Sequence, residues 1–183
     1  MFFKDRADAG KQLARALTKY KDQDVLVLAI PRGGVEIGYQ VAKYLNADLS
    51  LLITRKLPNP HNPESGFGAI AEDGSTFIYE RVAAQLMPDE IERTISFQKQ
   101  EIQRRIEILR EGDPLPPLAG RTVILVDDGV AMGSTMRASI EMCKNKKAGA
   151  IVVAVPVAGT QIMEILRLLV DDPPEQLRVF LGY

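Results

Sequence analysis

Four short apolar runs constrain this chain more than any other feature. They are VLVLAI at 25–30, LSLLIT at 49–54, TVILV at 122–126 and AIVVAV at 150–155. A strand with one wet face alternates apolar and polar residues. A nearly continuous run of this length instead marks a strand covered on both faces. None approaches the roughly 18 residues of a membrane span. Helical periodicity follows three of the runs, at 35–45, 134–144 and 160–170, with Val35, Tyr39, Ala42 and Leu45 as the stripe of the first. A further helix is expected at 8–20, where Leu13, Ala16, Leu17 and Tyr20 share a face, and a short last strand at 177–180. Repeated strand–loop–helix units predict an α/β fold: a parallel sheet with helices on both faces and ligands at the carboxyl ends of its strands.

The stretch between the second and third runs departs from that rhythm. Pro58, Pro60, Pro63, Gly66 and Gly68 make 55–68 read as a long loop, and loops of that size are usually functional or disordered. Residues 69–71 and 76–79, around Glu72, Asp73, Gly74 and Ser75, read as a short hairpin. A long helix is expected at 89–110, started by a capping-box-like Asp89 and Glu92 and supported by Glu101 and Arg105 four residues apart. Pro114, Pro116 and Pro117 mark a connector. The 183 residues suit a single domain over 1–183, with 55–80 as an insertion.

Composition removes several function classes. Lys and Arg number 23 against 24 Asp and Glu, a net charge of −1, which argues against a basic nucleic-acid coat. The single cysteine, Cys143, excludes an internal disulfide and reads as a packing residue. The single histidine, His61, argues against a histidine metal cluster or a Ser-His-Asp triad, and reads as a surface residue of the polar loop. The opening MFFKDRADAG lacks a signal-peptide core, so a cytoplasmic protein without a membrane partner is expected.

The chemistry concentrates in VILVDDGVAMGST at 123–135. Asp127 and Asp128 stand at the end of a buried strand, a loop with Gly129 and Gly133 follows, and Ser134 and Thr135 start a helix. Glycines let a backbone approach a ligand, and amides and hydroxyls at a helix start cradle phosphate. Carboxylates beside a phosphate make sense if they face hydroxyls, a metal or developing positive charge, as with a phosphorylated sugar. A Walker A loop does not fit, since its lysine is missing and the glycines are one residue closer. A response-regulator receiver does not fit either, since the next strand end carries no carboxylate and no lysine follows Lys147. The segment can also be a solvated acidic turn before a capped helix. Pro31, Arg32, Gly33 and Gly34 end the first run similarly: exposed amides and a guanidinium fork suit phosphate oxygens, and a plain strand-to-helix turn is the alternative.

VILVDDGVAMGST resembles the phosphoribosyl-pyrophosphate (PRPP) motif of type I phosphoribosyltransferases. The fuller resemblance is to a prokaryotic group of phosphoribosyltransferase-domain proteins of unassigned acceptor. It covers Asp5-Arg6 with Ala9-Gly10, Pro31 to Gly34, Arg55-Lys56, Pro63-Glu64, Asp127 to Gly129 and Ala154 to Ala158. The resemblance implies transfer of a 5-phosphoribosyl group from PRPP to a nitrogenous acceptor, a nucleobase, with release of pyrophosphate. It implies magnesium as cofactor and a homodimer without nucleic-acid partners. Asp127, Asp128 and Arg32 would be catalytic, the two acids also holding the metal directly or through water. Gly129, Val130, Ala131, Met132, Gly133, Ser134 and Thr135 would grip the 5-phosphate. Pro31, Arg32, Gly33, Gly34, Arg55 and Lys56 would grip pyrophosphate, and 57–68 would be a mobile cover to which Glu64 belongs. Met132 stands where the group has threonine, and Ala131 where hypoxanthine-guanine enzymes have an acid serving the base. The tail after Val170 is shorter than expected and leaves little for an acceptor-covering hood. A non-catalytic PRPP or ribose-phosphate sensor, and a structural α/β domain, are the other function classes.

Overall fold

The computed structural model describes residues 3–170 and 177–179. The chain divides into two compact units. The first comprises 1–52, 115–133 and 143–183; the second comprises 53–114 and 134–142.

The first unit is built on a parallel sheet. Its strands are β1 (Val25–Ala29), β2 (Asp48–Leu51), β6 (Thr122–Val126), β7 (Ala150–Val155) and β8 (Leu177–Val179), in the order β2-β1-β6-β7-β8. Three of the expected runs form β1, β6 and β7 because both faces are covered. Val25, Val27, Ile124, Val126, Val152 and Ala154 share a buried cluster with Leu13, Leu17, Ile37, Val41 and Leu45 of α1 (Arg6–Ala16), the turn after it, and α2 (Gly34–Leu45). The alternate residues Leu26, Leu28, Val123, Leu125 and Val153 are equally buried. Each such side chain contributes roughly 1.5–3 kcal/mol of apolar burial. α1 starts at Arg6, earlier than expected, because the Asp5 carboxylate accepts the Asp8 amide at 2.8 Å. Tyr20 lies in a separate helical turn, Thr18–Tyr20.

Two expectations for this unit need correction. The stripe of α2 is Ile37, Val41, Ala42 and Leu45, while Tyr39 is 48% exposed. Gly34 and Gly38 set that rotation, since a Cβ at Gly38 would come within 2.7 Å of the Ala29 Cβ. The second run is also not a strand buried on both faces. β2 is an edge strand with Asp48 and Leu49 exposed, and Leu52 and Ile53 are buried only after it ends. Arg121 holds the starting edge of the sheet, pairing with Asp24 at 2.7 Å and with Asp48 at 2.8 Å.

The second unit carries an antiparallel sheet of β3 (Thr54–Asn59), β4 (Asn62–Ala71) and β5 (Thr76–Ile78). The segment read as a long loop is therefore mostly a β-hairpin. Its prolines sit where strands tolerate them: Pro58 lies at a register shift, a bulge that needs no ladder amide. The predicted β4–β5 hairpin is present, with Gly74 at φ +93° in its turn. After α3 (Glu80–Ala83), α4 (Pro88–Arg110) lays Gln98, Ile102 and Ile106 inward. Its start differs from the expected pair, because Glu90 rather than Glu92 reaches back, accepting the Met87 amide at 2.9 Å. The ion pair of Glu101 is with Arg104, one residue closer than Arg105, at 2.9 Å. α5 (Ser134–Asn145) begins in this unit and ends in the first, where α6 (Thr160–Leu169) also belongs. The end of the last expected strand at Phe180, and most of the tail offered for the missing hood, lie outside the described residues.

Glu72 anchors the second unit. Its carboxylate accepts the Ile53 amide at 2.9 Å and pairs with Arg110 at 2.7 Å, with both side chains under a tenth exposed. Breaking such a pair strands a buried charge. Arg110→Met should therefore cost about 3 kcal/mol of unfolding free energy in urea, and adding Glu72→Gln should recover part of it; a loss below about 1 kcal/mol would show the pair to be dispensable.

Candidate functional site

β1 and β6 are neighbours in the sheet, yet the chain leaves β1 toward β2 and leaves β6 toward β7. Their carboxyl ends are thus a switch point, where the outgoing loops diverge and open a crevice. The register sets Ala29 level with Val126, and the Ile30 amide donates to the Val126 carbonyl at 2.8 Å. Both phosphate-loop candidates leave from this edge.

The first loop, Pro31 to Gly34, turns directly into α2. Its Pro31–Arg32 peptide is cis. Gly34 packs so tightly that a Cβ there would lie 2.6 Å from the Val126 carbonyl oxygen and 2.9 Å from the Asp127 Cα. At Gly33 a Cβ would fall 1.9 Å from an Asp128 carboxylate oxygen. Gly34 is required for this close approach to backbone, whereas a side chain at 33 would displace the Asp128 carboxylate. The structure thus brings Gly33, Gly34, Asp127 and Asp128 together, with Arg32 exposed on the loop.

The two carboxylates differ. Asp127 is largely buried, and burial pushes its pKa from an ordinary 3.8 to about 7, against the opposing effect of the Asp128 amide it accepts at 2.8 Å. A solvated acidic turn would not show such a shift, so that alternative fits this segment poorly. Asp128 is about one-third exposed and accepts two hydrogen bonds from Arg6, at 2.7 Å from Nη2 and 3.1 Å from Nε. Arg6 was not among the residues expected at the site. Its only sequence signal is the Asp5-Arg6 pair of the resemblance, because the contact spans 122 positions.

The second loop runs from Gly129 to Gly133 and is tied to the segment after β7. The Val130 amide donates to the Val157 carbonyl at 2.9 Å, so it is committed within the protein. Ala131 and Met132 are exposed, Met132 by 70%. Gly133 has φ +77°, and a Cβ there would meet Ile162 at 2.4 Å. Ser134 and Thr135 open α5, and the Thr135 carbonyl accepts the Ser139 hydroxyl at 2.9 Å.

The remaining expected residues lie in the second unit. Arg55 donates from Nε to Gln98 at 2.9 Å, and burial and then the nearby Arg105 lower its pKa. Lys56 donates to the Glu64 carbonyl at 2.6 Å. His61 is exposed and lies 3.1 Å from Glu90. Cys143, in the first unit, is buried and forms no disulfide.

Among the described residues no three histidines, cysteines or carboxylates gather as a metal cluster. Asp127 and Asp128 nevertheless suit magnesium, which takes hard oxygen donors from one or two carboxylates and completes its shell from substrate phosphates and water. A carboxylate whose pKa is raised by burial would gain a counter-charge in that role.

Known proteins resemble this chain in sequence and in fold. The family model described as phosphoribosyl transferase domain matches residues 3–163. A curated protein of Mycobacterium tuberculosis (strain H37Rv), provisionally named a phosphoribosyl transferase, is 41% identical over 163 residues. The match covers 88% of this chain, and the chain spans about 37% of that relative's length. The crystal structure of a Thermus thermophilus protein, TT1426, is similar at TM-score 0.77 and 34% identity, over 99% of this chain and 84% of that one. A purine phosphoribosyltransferase from Pyrococcus horikoshii shares the fold at TM-score 0.52 and 16% identity, over 95% of this chain and 81% of that one. No helix among the described residues is long and apolar enough to cross a membrane.

The raised pKa has a sign that can be checked. Between about pH 4 and pH 7 the unfolded chain has lost the Asp127 proton that the fold retains, so stability falls as pH rises through that window. Asp127→Asn should stabilise the ligand-free protein at pH 8, by no more than about 4 kcal/mol, and leave it unchanged near pH 4. Melting temperatures without divalent cations measure this, and an equal difference at both pH values would contradict it.

Proposed function

The chain belongs to the phosphoribosyl transferase domain family, and on that premise we propose that it transfers the 5-phosphoribosyl group of PRPP to a nitrogen of an acceptor, a nucleobase, releasing pyrophosphate. One observation carries this reading. The Asp128 carboxylate lies against Gly33 and the Asp127 Cα against Gly34 at the switch point, which supports a pair of sugar-binding acids and a phosphate-binding turn sharing one crevice.

In the proposed reaction the acceptor nitrogen forms a bond to C1 of the ribose. The bond from C1 to the pyrophosphate oxygen breaks with its electron pair, and the acceptor nitrogen gives up a proton. Positive charge builds on the sugar and negative charge on the leaving group. Asp127 and Asp128 hold the 2- and 3-hydroxyls and stabilise the positive charge. The Arg32 guanidinium and the Arg32 and Gly33 amides hold the leaving pyrophosphate, since Pro31 has no N–H and the Gly34 amide donates to the Ile30 carbonyl at 3.1 Å. The amides of 131–133 and the hydroxyls of Ser134 and Thr135 hold the 5-phosphate. Asp127 and Asp128 would hold magnesium, which would supply positive charge to the leaving pyrophosphate.

Met132 favours a second reading, a protein that binds PRPP without turning it over. Its exposed thioether stands in the cradle where a hydroxyl was expected and offers phosphate no donor. A screen of nucleobases with magnesium and PRPP, read as pyrophosphate release, decides between the two. Release with any one base supports transfer, and thermal stabilisation by PRPP without release supports the sensor.

Two substitutions test the site itself. Replacing Asp127 and Asp128 together by Asn should abolish thermal stabilisation by magnesium-PRPP; unchanged stabilisation would remove both from the sugar. Arg32→Ala should weaken PRPP by roughly 30-fold, the worth of about 2 kcal/mol for a charge-assisted contact, and leave ribose 5-phosphate almost unaffected. Equal losses for both ligands would place Arg32 elsewhere.

A further inference from the structure

α1 and α2 touch the crevice at their starts and enclose a second feature further along. A cleft of about 480 Å³ lies between them, lined by Lys11, Arg15, Lys21, Lys43, Gln40 and Tyr44, with buried Ala14 at its floor. Gly10 permits it, because the helices pack there with Gln40 Cβ and Ile37 Cα only 2.9 and 3.0 Å from the place of a Cβ. Gly34 and Tyr44 are ten positions apart on α2, so the cleft lies about 15 Å along the helix from the 31–34 turn.

Its charge is one-sided. Four cations line the cleft, no carboxylate does, and none of the four forms a salt bridge among the described residues. The acids on the flanking elements have other hydrogen-bond partners: Asp8 accepts the Lys4 amide and Gln12 while also feeling the Lys11 charge, Glu36 accepts the Gln40 side-chain amide, and Asp22 accepts from Asn46. Arg15 and Lys43 lie in the last turns of their helices, where cations complement the helix dipole. Lys11 in mid-helix and Lys21 beyond the helix have no such role. Lys11 and Arg15 are four apart on α1, a like-charge pair that destabilises a helix unless an anion shares it. The whole chain is slightly acidic at −1, so four clustered cations are a local feature and not a general coat.

We propose that this cleft is a second ligand site, separate from the switch-point crevice, for a small polyphosphate, free or carried by a nucleotide. Its volume falls in the range of small-molecule pockets, and four flexible ammonium and guanidinium groups suit several phosphates at once. Tyr44 adds a ring, with Lys21 Nζ 5.3 Å from its centroid, and a hydroxyl 3.1 Å from that of Thr18. Gln40 adds an amide. A concave cleft with four cations suits a compact anion better than an extended nucleic-acid backbone, which requires a longer basic track.

The test is calorimetric titration of the full chain with sodium tripolyphosphate and, separately, ATP, without divalent cations and at about 50 mM salt. The Arg32→Ala variant should still bind both, placing the site away from the crevice. Lys11→Ala/Lys43→Ala should bind them at least tenfold more weakly while keeping wild-type affinity for magnesium-PRPP, so this proposal and the transferase reading fail separately. Lys99→Ala/Lys146→Ala, exposed lysines elsewhere, lowers the charge equally and should change affinity less than threefold. ATP binding more tightly than tripolyphosphate would make a nucleotide the source, and equal binding a free polyphosphate. Unchanged binding by Lys11→Ala/Lys43→Ala, or equal weakening by the control pair, would overturn the site. Tighter binding of a roughly 20-nucleotide single-stranded RNA than of ATP, lost in Lys11→Ala/Lys43→Ala, would overturn it in favour of a nucleic-acid surface.

Discussion

Backbone touching backbone at the ends of β1 and β6 is the constraint on which the site depends. Parallel pairing levels Ala29 with Val126, and the next residues must diverge at once. Side chains at 33 and 34 would fill the space that the Asp127–Asp128 turn occupies. The absence of two Cβ atoms therefore sets how closely a phosphate-binding turn and a pair of acids can share one crevice. The buried faces of the sheet hold that geometry still, since Val126 belongs to the same cluster as Ile37 of α2.

The arrangement creates an electrostatic problem that each acid meets differently. Asp128 is offset by Arg6, which comes from the far end of the chain. Asp127 has no such cation among the described residues and relieves its burial by holding a proton near neutral pH. Two adjacent identical residues thus sit in different surroundings, one buried and one paired with an exposed guanidinium, and ligand hydroxyls or a cation would act on each differently. Arg6 reaches Asp128 without ordering a buried pair, because it stays 62% exposed and can release the acid at small cost.

The parallel sheet was legible because strands covered on both faces write themselves as unbroken apolar runs, as VLVLAI and AIVVAV do. The acidic turn and both glycine turns were legible for the same local reason. The β3–β4 hairpin was not, since its prolines and glycines are loop signals in isolation. Their tolerance depends on a bulge at Pro58 and on close packing at Gly66 and Gly68, where a Cβ would meet Lys56 Cε at 2.4 Å and the Phe77 carbonyl at 2.1 Å. LSLLIT misled in the other direction, because an apolar run does not say whether a strand lies at a sheet's edge. The phase of α2 was misjudged by giving Tyr39 a core place that Ile37 fills. Arg6 lay beyond local reading altogether.

The carboxylate of Glu72, bonded to the Ile53 amide, joins the two ends of the β3–β4 hairpin at its base. A stretch whose ends are already tied is a cassette. Its length can change at the tip, near 59–62, for only the slowly growing entropy of a longer loop. Residues can therefore be added there without renegotiating the unit beneath.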